Sequence, residues 1–350
     1  MKKLIIISLS ILLLFTSCNK SEDGSSSGKK TLYVYNWSYY TPEDVIERFE
    51  EEYNCDVILD YFASNEEMSA KLMASGGRSG YDLIFPSADY TEIMINQGML
   101  EELNLNNIPN TKYISPSVLS KADYDSQMNY SVPYFMGAAG IAVHKDIVSS
   151  YPHSWSLFAN SEYKNRMCMM DDMREVMGDA LTYLGYSVNT TDDKELNEAF
   201  NLIENEWKPN LTKFDAEGFA KSFATGEYVI AQGYAEAFFE ELPESRWSEV
   251  DFFIPEEGGP LYIDNMCIPK GARNKELAEA FINYICQPEN YASFLDRFHF
   301  PASVNPEADK YRTTVPFYSA EELDHCELKK DLAGELVKYN TLWEKIRYSN

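Results

Sequence analysis

Hydrophobic and polar positions change period at short, regular intervals along the chain, which is the pattern of strands alternating with helices. Residues 31–36 alternate as a strand does, and Thr41-Pro42-Glu43-Asp44 then offers an N-cap, a first-turn proline and acids suited to a helix start. Residues 57–61 read as a second strand. Ser64 and Asn65 can cap a helix running to Met73, which Gly76-Gly77 ends. Residues 82–85 form a short apolar strand, and 90–97 a further helix before Gly98. The pattern restarts with a strand over 130–134, then Gly137-Ala138-Ala139-Gly140 and the apolar run 141–143, where a crossing between lobes fits. Strands over 163–170 and 228–232 flank helical stretches at 179–184 and 195–204. Leu, Glu and Lys at helical spacing over 323–346 predict a pair of surface helices covering a sheet. Nothing repeats internally. Strands and helices alternating in this way predict an α/β protein whose sheets are mostly parallel.

The first residues belong to a different kind of segment. Lys2 and Lys3 precede an apolar run over 4–15, interrupted only by Ser8 and Ser10, and Thr16-Ser17 follow directly before Cys18. That run is too short to span a bilayer and reads as a secretory leader, residues 1–18, whose terminal cysteine is the point of lipid attachment in bacterial lipoproteins. Phe15 departs from the usual Leu or Val, and a plain signal peptide with an incidental Cys18 is the alternative. Residues 19–30 are Ser, Gly and charge, a flexible tether between membrane and domain. Roughly 320 residues remain, more than one compact core usually holds, so two lobes are expected. One core per lobe points to a monomer.

The formal net charge is −26, and removing Lys2 and Lys3 with the leader takes it to −28. So acidic a surface argues against nucleic acid or anionic lipid as partners and favours attraction of cations, although many exported proteins are acidic merely for solubility. Cys55, Cys168, Cys267, Cys286 and Cys326 follow no C-x-x-C spacing and are an odd number, so buried free thiols are expected rather than a disulfide framework. His144, His153, His299 and His325 show no metal-ligand spacing, and no cofactor motif is present.

In open α/β sheets ligands bind beyond the carboxyl ends of strands. Those places carry Trp37-Ser38-Tyr39-Tyr40, Pro86-Ser87-Ala88-Asp89-Tyr90, Asp171-Asp172-Met173-Arg174-Glu175, Gly233-Tyr234-Ala235-Glu236 and Leu261-Tyr262-Ile263-Asp264. Carboxylates beside aromatics suit an ammonium with an apolar body: charged hydrogen bonds for the head, ring faces for the cation and its methylenes. Taken singly, Trp37 or Tyr262 is more often a core or rim aromatic, and a lone Asp at a strand end more often caps a helix. It is the recurrence that carries weight. No G-x-S-x-G elbow or Walker loop is present; Asp172 and Glu175 could serve as a glycosidase pair, the weaker reading.

The same residues resemble the periplasmic spermidine/putrescine-binding proteins of ABC transporters over nearly the whole mature chain. The resemblance rests on Tyr35-Asn36-Trp37-Ser38-Tyr39-Tyr40, Tyr81-Asp82-Leu83-Ile84-Phe85-Pro86-Ser87, Ser131-Val132-Pro133-Tyr134, Asp171-Asp172-Met173-Arg174-Glu175-Val176, Leu184-Gly185-Tyr186-Ser187 and Pro255-Glu256-Glu257-Gly258-Gly259 through Asp264. It implies two lobes with the ligand closed between them, the first from 31–139 and 264–309, the second from 140–263 and 310–350. It also implies capture without chemistry, a polyamine as ligand, and an ABC permease with its separate ATPase as partner. Carried over residue by residue, Trp37, Ser38, Tyr40 and Ser87 line one half of the cleft, and Asp172, Glu175, Tyr234, Tyr262 and Asp264 face them. Asp264 and Glu175 take terminal ammonium groups while Trp37, Tyr234 and Tyr262 sandwich the methylenes. Four buried methylenes contribute roughly 3 kcal/mol, whereas micromolar binding needs about 8 kcal/mol. Ion pairs and cation-π contacts must supply the difference.

Departures from the family pattern fall at the same places. Tyr39 stands where the family often has an acid, Asp89 where an aromatic is frequent, Ala216 where a serine can contact ligand, Phe300 where a tyrosine is usual, and Lys329 where a glutamine aligns. Asp89 would replace the acid missing at 39. Lys329 either pairs with Asp89, points away, or lies elsewhere through a slip in the alignment; inside the cleft it would shorten the site toward diamines. These positions keep open another small organic cation or a zwitterion as ligand, and an adhesin or sensor lipoprotein is the reading of a different class.

Overall fold

The computed structural model describes residues 29–38 and 40–348; the leader, Cys18, the tether up to residue 28 and Tyr39 lie outside them. The chain first builds β1 (Lys30–Trp37), α1 (Glu43–Tyr53), β2 (Cys55–Phe62), α2 (Asn65–Ala74), β3 (Leu83–Ile84), α3 (Ala88–Asn96), α4 (Pro116–Lys121) and β4 (Ser131–Ala138). It then passes through Ala139 into β5 (Gly140–His144), β6 (Met167–Met169), α5 (Met173–Tyr183), α6 (Asp193–Leu202), β7 (Leu211–Phe214), α7 (Phe219–Ala224), β8 (Ile230–Gly233), α8 (Ala235–Glu241) and β9 (Val250–Phe253). The last part holds β10 (Pro260–Cys267), α9 (Lys275–Ile285), α10 (Pro288–Phe298), β11 (Glu327–Leu328) and α11 (Leu336–Tyr348). Strand pairing sorts these into two sheets. One runs β11-β10-β3-β1-β2 with β4 also on β10, and the other runs β7-β6-β8-β5-β9. The fold is α/β with two sheets flanked by helices, as the alternation predicts. Parallel pairing links β1 to β2 and β3, β10 to β11, and β6 to β7 and β8, while antiparallel pairing links β10 to β3 and β4, and β5 to β8 and β9.

Several boundaries differ from the sequence reading, each for a local reason. Thr41 does not cap α1. Its hydroxyl accepts from Asn36 Nδ2 at 3.0 Å and bonds the Tyr134 hydroxyl at 3.3 Å, so Pro42 occupies the cap position with no side-chain bond. Ser64 does cap α2, accepting from the Glu67 N–H at 3.1 Å, and Glu67 accepts in turn from the Ala63 N–H at 2.9 Å. The expected lobe boundary at 264 falls inside β10, which ladders against β4 from Leu261 to Cys267 and so belongs to the first sheet throughout. The C-terminal helix pair is one helix, α11. Glu327–Leu328 instead pairs with Pro260 and Leu261 at the edge of the first sheet, and the Glu327 carboxylate accepts from the Val188 N–H at 2.9 Å. Leu and Glu at helical spacing cannot reveal that an edge strand elsewhere offers a better partner for those backbone groups.

Tyr339, Leu342, Trp343 and Ile346 of α11 pack into the core of the second sheet with Val176, Met177 and Leu181 of α5. All five described cysteines are free and buried. The second crossing between the sheets runs from β9 to β10 through Gly258, whose φ is +76° and whose hypothetical Cβ would lie 2.1 Å from the His325 carbonyl oxygen. Its own carbonyl accepts from Trp155 Nε1 at 2.7 Å. A side chain there meets both a left-handed backbone and a rigid neighbouring carbonyl. Gly258→Ala is therefore expected to destabilise the protein by roughly 2 kcal/mol or more, read as a lowered denaturant midpoint at unchanged slope; an unchanged midpoint would show that the crossing is free to shift.

Candidate ligand-binding site

Of the residues singled out, Tyr40, Ser87 and Asp264 form one bonded group, and Glu175, Lys329, Tyr234 and Tyr262 form another where the two sheets adjoin. Trp37 ends β1, donates its indole N–H to the Phe85 carbonyl at 2.9 Å and packs on Phe62 with ring centroids 4.5 Å apart. That bond fixes the indole beside the end of β3. Ser38 follows it in a turn and is exposed. Ser87, at the start of α3, leaves its cap unfilled because its hydroxyl donates to Asp264 Oδ1 at 2.6 Å. Tyr40 donates to the other oxygen, Asp264 Oδ2, at 2.8 Å, and the Tyr40 carbonyl accepts from the Tyr134 hydroxyl at 2.5 Å. Asp264 is thus held by two side chains from the opposite end of the chain.

Asp264 does not follow a strand, as the sequence pattern suggested; it lies within β10. The β4 partner steps from Phe135 to Pro133 while β10 advances by one residue, from Asp264 to Asn265. Pro133 has no N–H to give to the ladder, so the pairing slips there, and a bulge is the usual way a strand re-aims a side chain. Asp264 turns to Ser87 and Tyr40, and Asn265 turns to Thr91 and Tyr124.

The second sheet supplies the other side. Asp172 caps α5, its Oδ1 accepting from the N–H groups of Arg174 at 2.8 Å and Glu175 at 3.0 Å. Glu175, fully buried, bonds Lys329 Nζ through Oε1 and accepts from the Tyr234 hydroxyl at 3.3 Å. Its Oε2 has no hydrogen-bond partner among the described residues. Tyr234 and Tyr262 meet edge to face at 5.7 Å between centroids, bringing a residue after β8 onto one from β10. Lys329 points inward and pairs with Glu175, so it neither pairs with Asp89 nor points away. Asp89 sits in the first turn of α3 and senses Lys329 electrostatically without bonding to it. Phe300 stands apart, buried against Phe135 and Phe298 at 4.8 Å and 5.4 Å, one ring behind Tyr40.

Two acids absent from the candidate set also belong here. Glu236 lies in the first turn of α8, close enough to Tyr40 and Tyr262 to perturb them and to Asp264 to be perturbed by it. Asp179, one turn along α5 from Glu175, is fully buried with Gln232 Nε2 on Oδ2 and no partner for Oδ1 among the described residues. Glu236 was legible in principle, since it sits two residues after Tyr234 behind a strand. Asp179 had no such signal.

Electrostatically the site is unbalanced. Burial pushes the Asp264 carboxyl up to about 6 against the pull of Ser87 and Tyr40. Burial likewise lifts Glu236 to about 7, only partly offset by its own backbone N–H. Burial raises Asp89, Glu175 and Asp179 as well, with Lys329 working against it in each case. Burial pulls the Lys329 ammonium's pKa down, but Glu175 and Asp172 outweigh it and keep it above the usual lysine range. Low-dielectric surroundings penalise every uncompensated charge, so a cleft holding this many carboxyls and one ammonium favours a further cation.

Two sheets linked by crossing strands, with acids and aromatics of both gathered where they meet, form the architecture of a solute-binding protein. The chain belongs to the bacterial extracellular solute-binding proteins, whose family model matches residues 44–322. It is 31% identical over 325 residues to the spermidine/putrescine-binding periplasmic protein of Escherichia coli, covering 91% of each chain. It is 34% identical to the putrescine/cadaverine-binding protein of Pseudomonas aeruginosa over 276 residues, 76% of this chain and 77% of that one. Its fold matches the crystal structure of the Tp0655 (TpPotD) lipoprotein of Treponema pallidum with a TM-score of 0.88 and 51% identity, over 91% of this chain and all of that one.

Proposed function

We propose that the chain is the polyamine-binding component of an ABC importer: its lobes close on putrescine or spermidine, and the closed form delivers the ligand to the permease. The observation that carries this is the acid excess in the buried cleft, where five carboxyls are raised by burial and Lys329 is the one lysine paired among them in the described residues. A ligand with ammonium groups at both ends satisfies those carboxyls, and the Trp37, Tyr40, Tyr234 and Tyr262 rings suit its methylenes. Asp264 and Glu236 form one acidic group and Glu175, Asp172 and Asp179 another, with Asp89 acting on Asp264 and on Lys329 alike. Binding and release require no catalytic group. The lobes hinge at Ala139 and at the Gly258 crossing, with Lys329 entering beside the hinge. Cys18 carries the lipid that keeps the protein at the membrane, facing the periplasm or the cell exterior.

Labelled putrescine uptake tests the delivery role. Deleting the gene is expected to abolish high-affinity uptake, and the full chain restores it; Cys18→Ser would move the protein from the membrane to the soluble fraction. Undiminished uptake in the deletion strain would rule out delivery, and a Cys18→Ser chain still in the membrane fraction would rule out the anchor.

A further inference from the structure

Lys329 is the feature of the cleft that polyamine binding as such does not require. Its backbone N–H donates to the Leu261 carbonyl at 3.1 Å, which seats it beside β10 in the first sheet, while its partner Glu175 lies on α5 against the second. The next residue is pinned as well: the Lys330 N–H donates to Asn189 Oδ1 at 2.9 Å and Lys330 Nζ reaches Asp123 at 2.6 Å. The backbone that presents Lys329 is therefore fixed from both sides. Its side chain is 20% exposed and that of Glu175 1%, so the pair is largely withdrawn from water and joins one lobe to the other.

We propose that Lys329 is a resident ammonium that occupies, at Glu175, the place of one ligand ammonium, so that the site takes a short α,ω-diamine and discriminates against a triamine. This rests on the polyamine reading above. Glu175 is already ion-paired with one positive charge supplied by the chain, whereas Asp264 and Glu236 have no ion-pair partner among the described residues, Lys329 acting on Asp264 only at longer range. A diamine adds its two charges among the acids that have no ion-pair partner without disturbing the pair at Glu175. A triamine brings one ammonium more, which must either displace Lys329 from Glu175 or lie beside it, and like charges or a broken pair in a buried site are strongly unfavourable.

Calorimetric titration of the refolded chain with putrescine, cadaverine and spermidine tests this, alongside Lys329→Gln. The parent is expected to bind putrescine at least roughly tenfold more tightly than spermidine, and Lys329→Gln to move that ratio at least about tenfold toward spermidine. Spermidine binding as tightly as putrescine in the parent, or an unmoved ratio in folded Lys329→Gln, would overturn the proposal. Should Lys329→Gln not fold, as judged by near-UV circular dichroism, the ranking in the parent decides alone. A parent that binds none of the three sinks the polyamine reading itself, whereas one that binds with the wrong ranking sinks only the role of Lys329.

Discussion

Asp264→Ala is expected to weaken putrescine binding by at least about a hundredfold, because removing one partner of a buried charge pair typically costs 3–5 kcal/mol. Asp264 is 5% exposed, and both its oxygens are already oriented by Ser87 and Tyr40, so a ligand ammonium meets a carboxylate that has little freedom left to lose. The alanine variant also strips two hydroxyls of their acceptor. Asp264→Asn helps separate the two effects, since it removes the charge while keeping the side chain's shape and an acceptor for one of the two hydroxyls. Calorimetry on both variants, with thermal unfolding as a check on the fold, should show both far weaker than the parent. An asparagine variant within threefold of the parent would mean that the carboxylate charge does not hold the ligand.

Affinity for putrescine is expected to fall as pH drops through about 7 toward about 6, the values at which Glu236 and Asp264 take up protons. The ligand's amines stay protonated across that window, so the change comes from the protein. A bound dication requires the carboxylates; protons compete with it, and binding at pH 6 should release them. With one or both groups titrating, affinity at pH 5 should be at least roughly tenfold below that at pH 8. Titrations in two buffers of different ionisation enthalpy read the proton count directly. The ligand-free protein should respond with the opposite sign. A carboxyl whose folded pKa is about 6, against a reference value of 3.8, binds protons more tightly in the native state, so its contribution to stability declines as pH rises through that interval. Affinity independent of pH between 5 and 8 would remove Asp264 and Glu236 from the site.

Much of the fold was legible because strands and helices alternate with clean caps and breaks. Ser64 and Gly76-Gly77 bracket α2, and the apolar runs on either side of Ala139 lie in different sheets as expected. The candidate positions follow the same pattern: aromatics and acids stand where strands give way to helices, Trp37 at the end of β1, Ser87 and Tyr234 just after β3 and β8, and Glu175 in the first turn of the helix after β6. What pattern could not supply is pairing at long range. Asp264 faces Ser87 only because the β4–β10 ladder slips at Pro133, and Thr41 is drawn from its cap by Tyr134, 93 residues away. Lys329 and Glu175 meet across 154 residues of chain, and nothing local to either marks the other. Asp179 reads as an ordinary helix residue until the second sheet buries it. The C-terminal stretch misled because helical spacing of Leu and Glu is equally compatible with a two-residue edge strand followed by a single helix.

The most direct measurement is calorimetric titration of the chain from Thr31 onward, unfolded and refolded to strip any carried-over ligand, with putrescine and then spermidine. Binding of at least one at micromolar affinity or tighter, with a stoichiometry of about one, is expected from a cleft that must supply about 8 kcal/mol between ion pairs and buried methylenes. No heat of binding from either, with a protein that has regained its native unfolding transition, would contradict a polyamine receptor and leave the fold in search of another ligand.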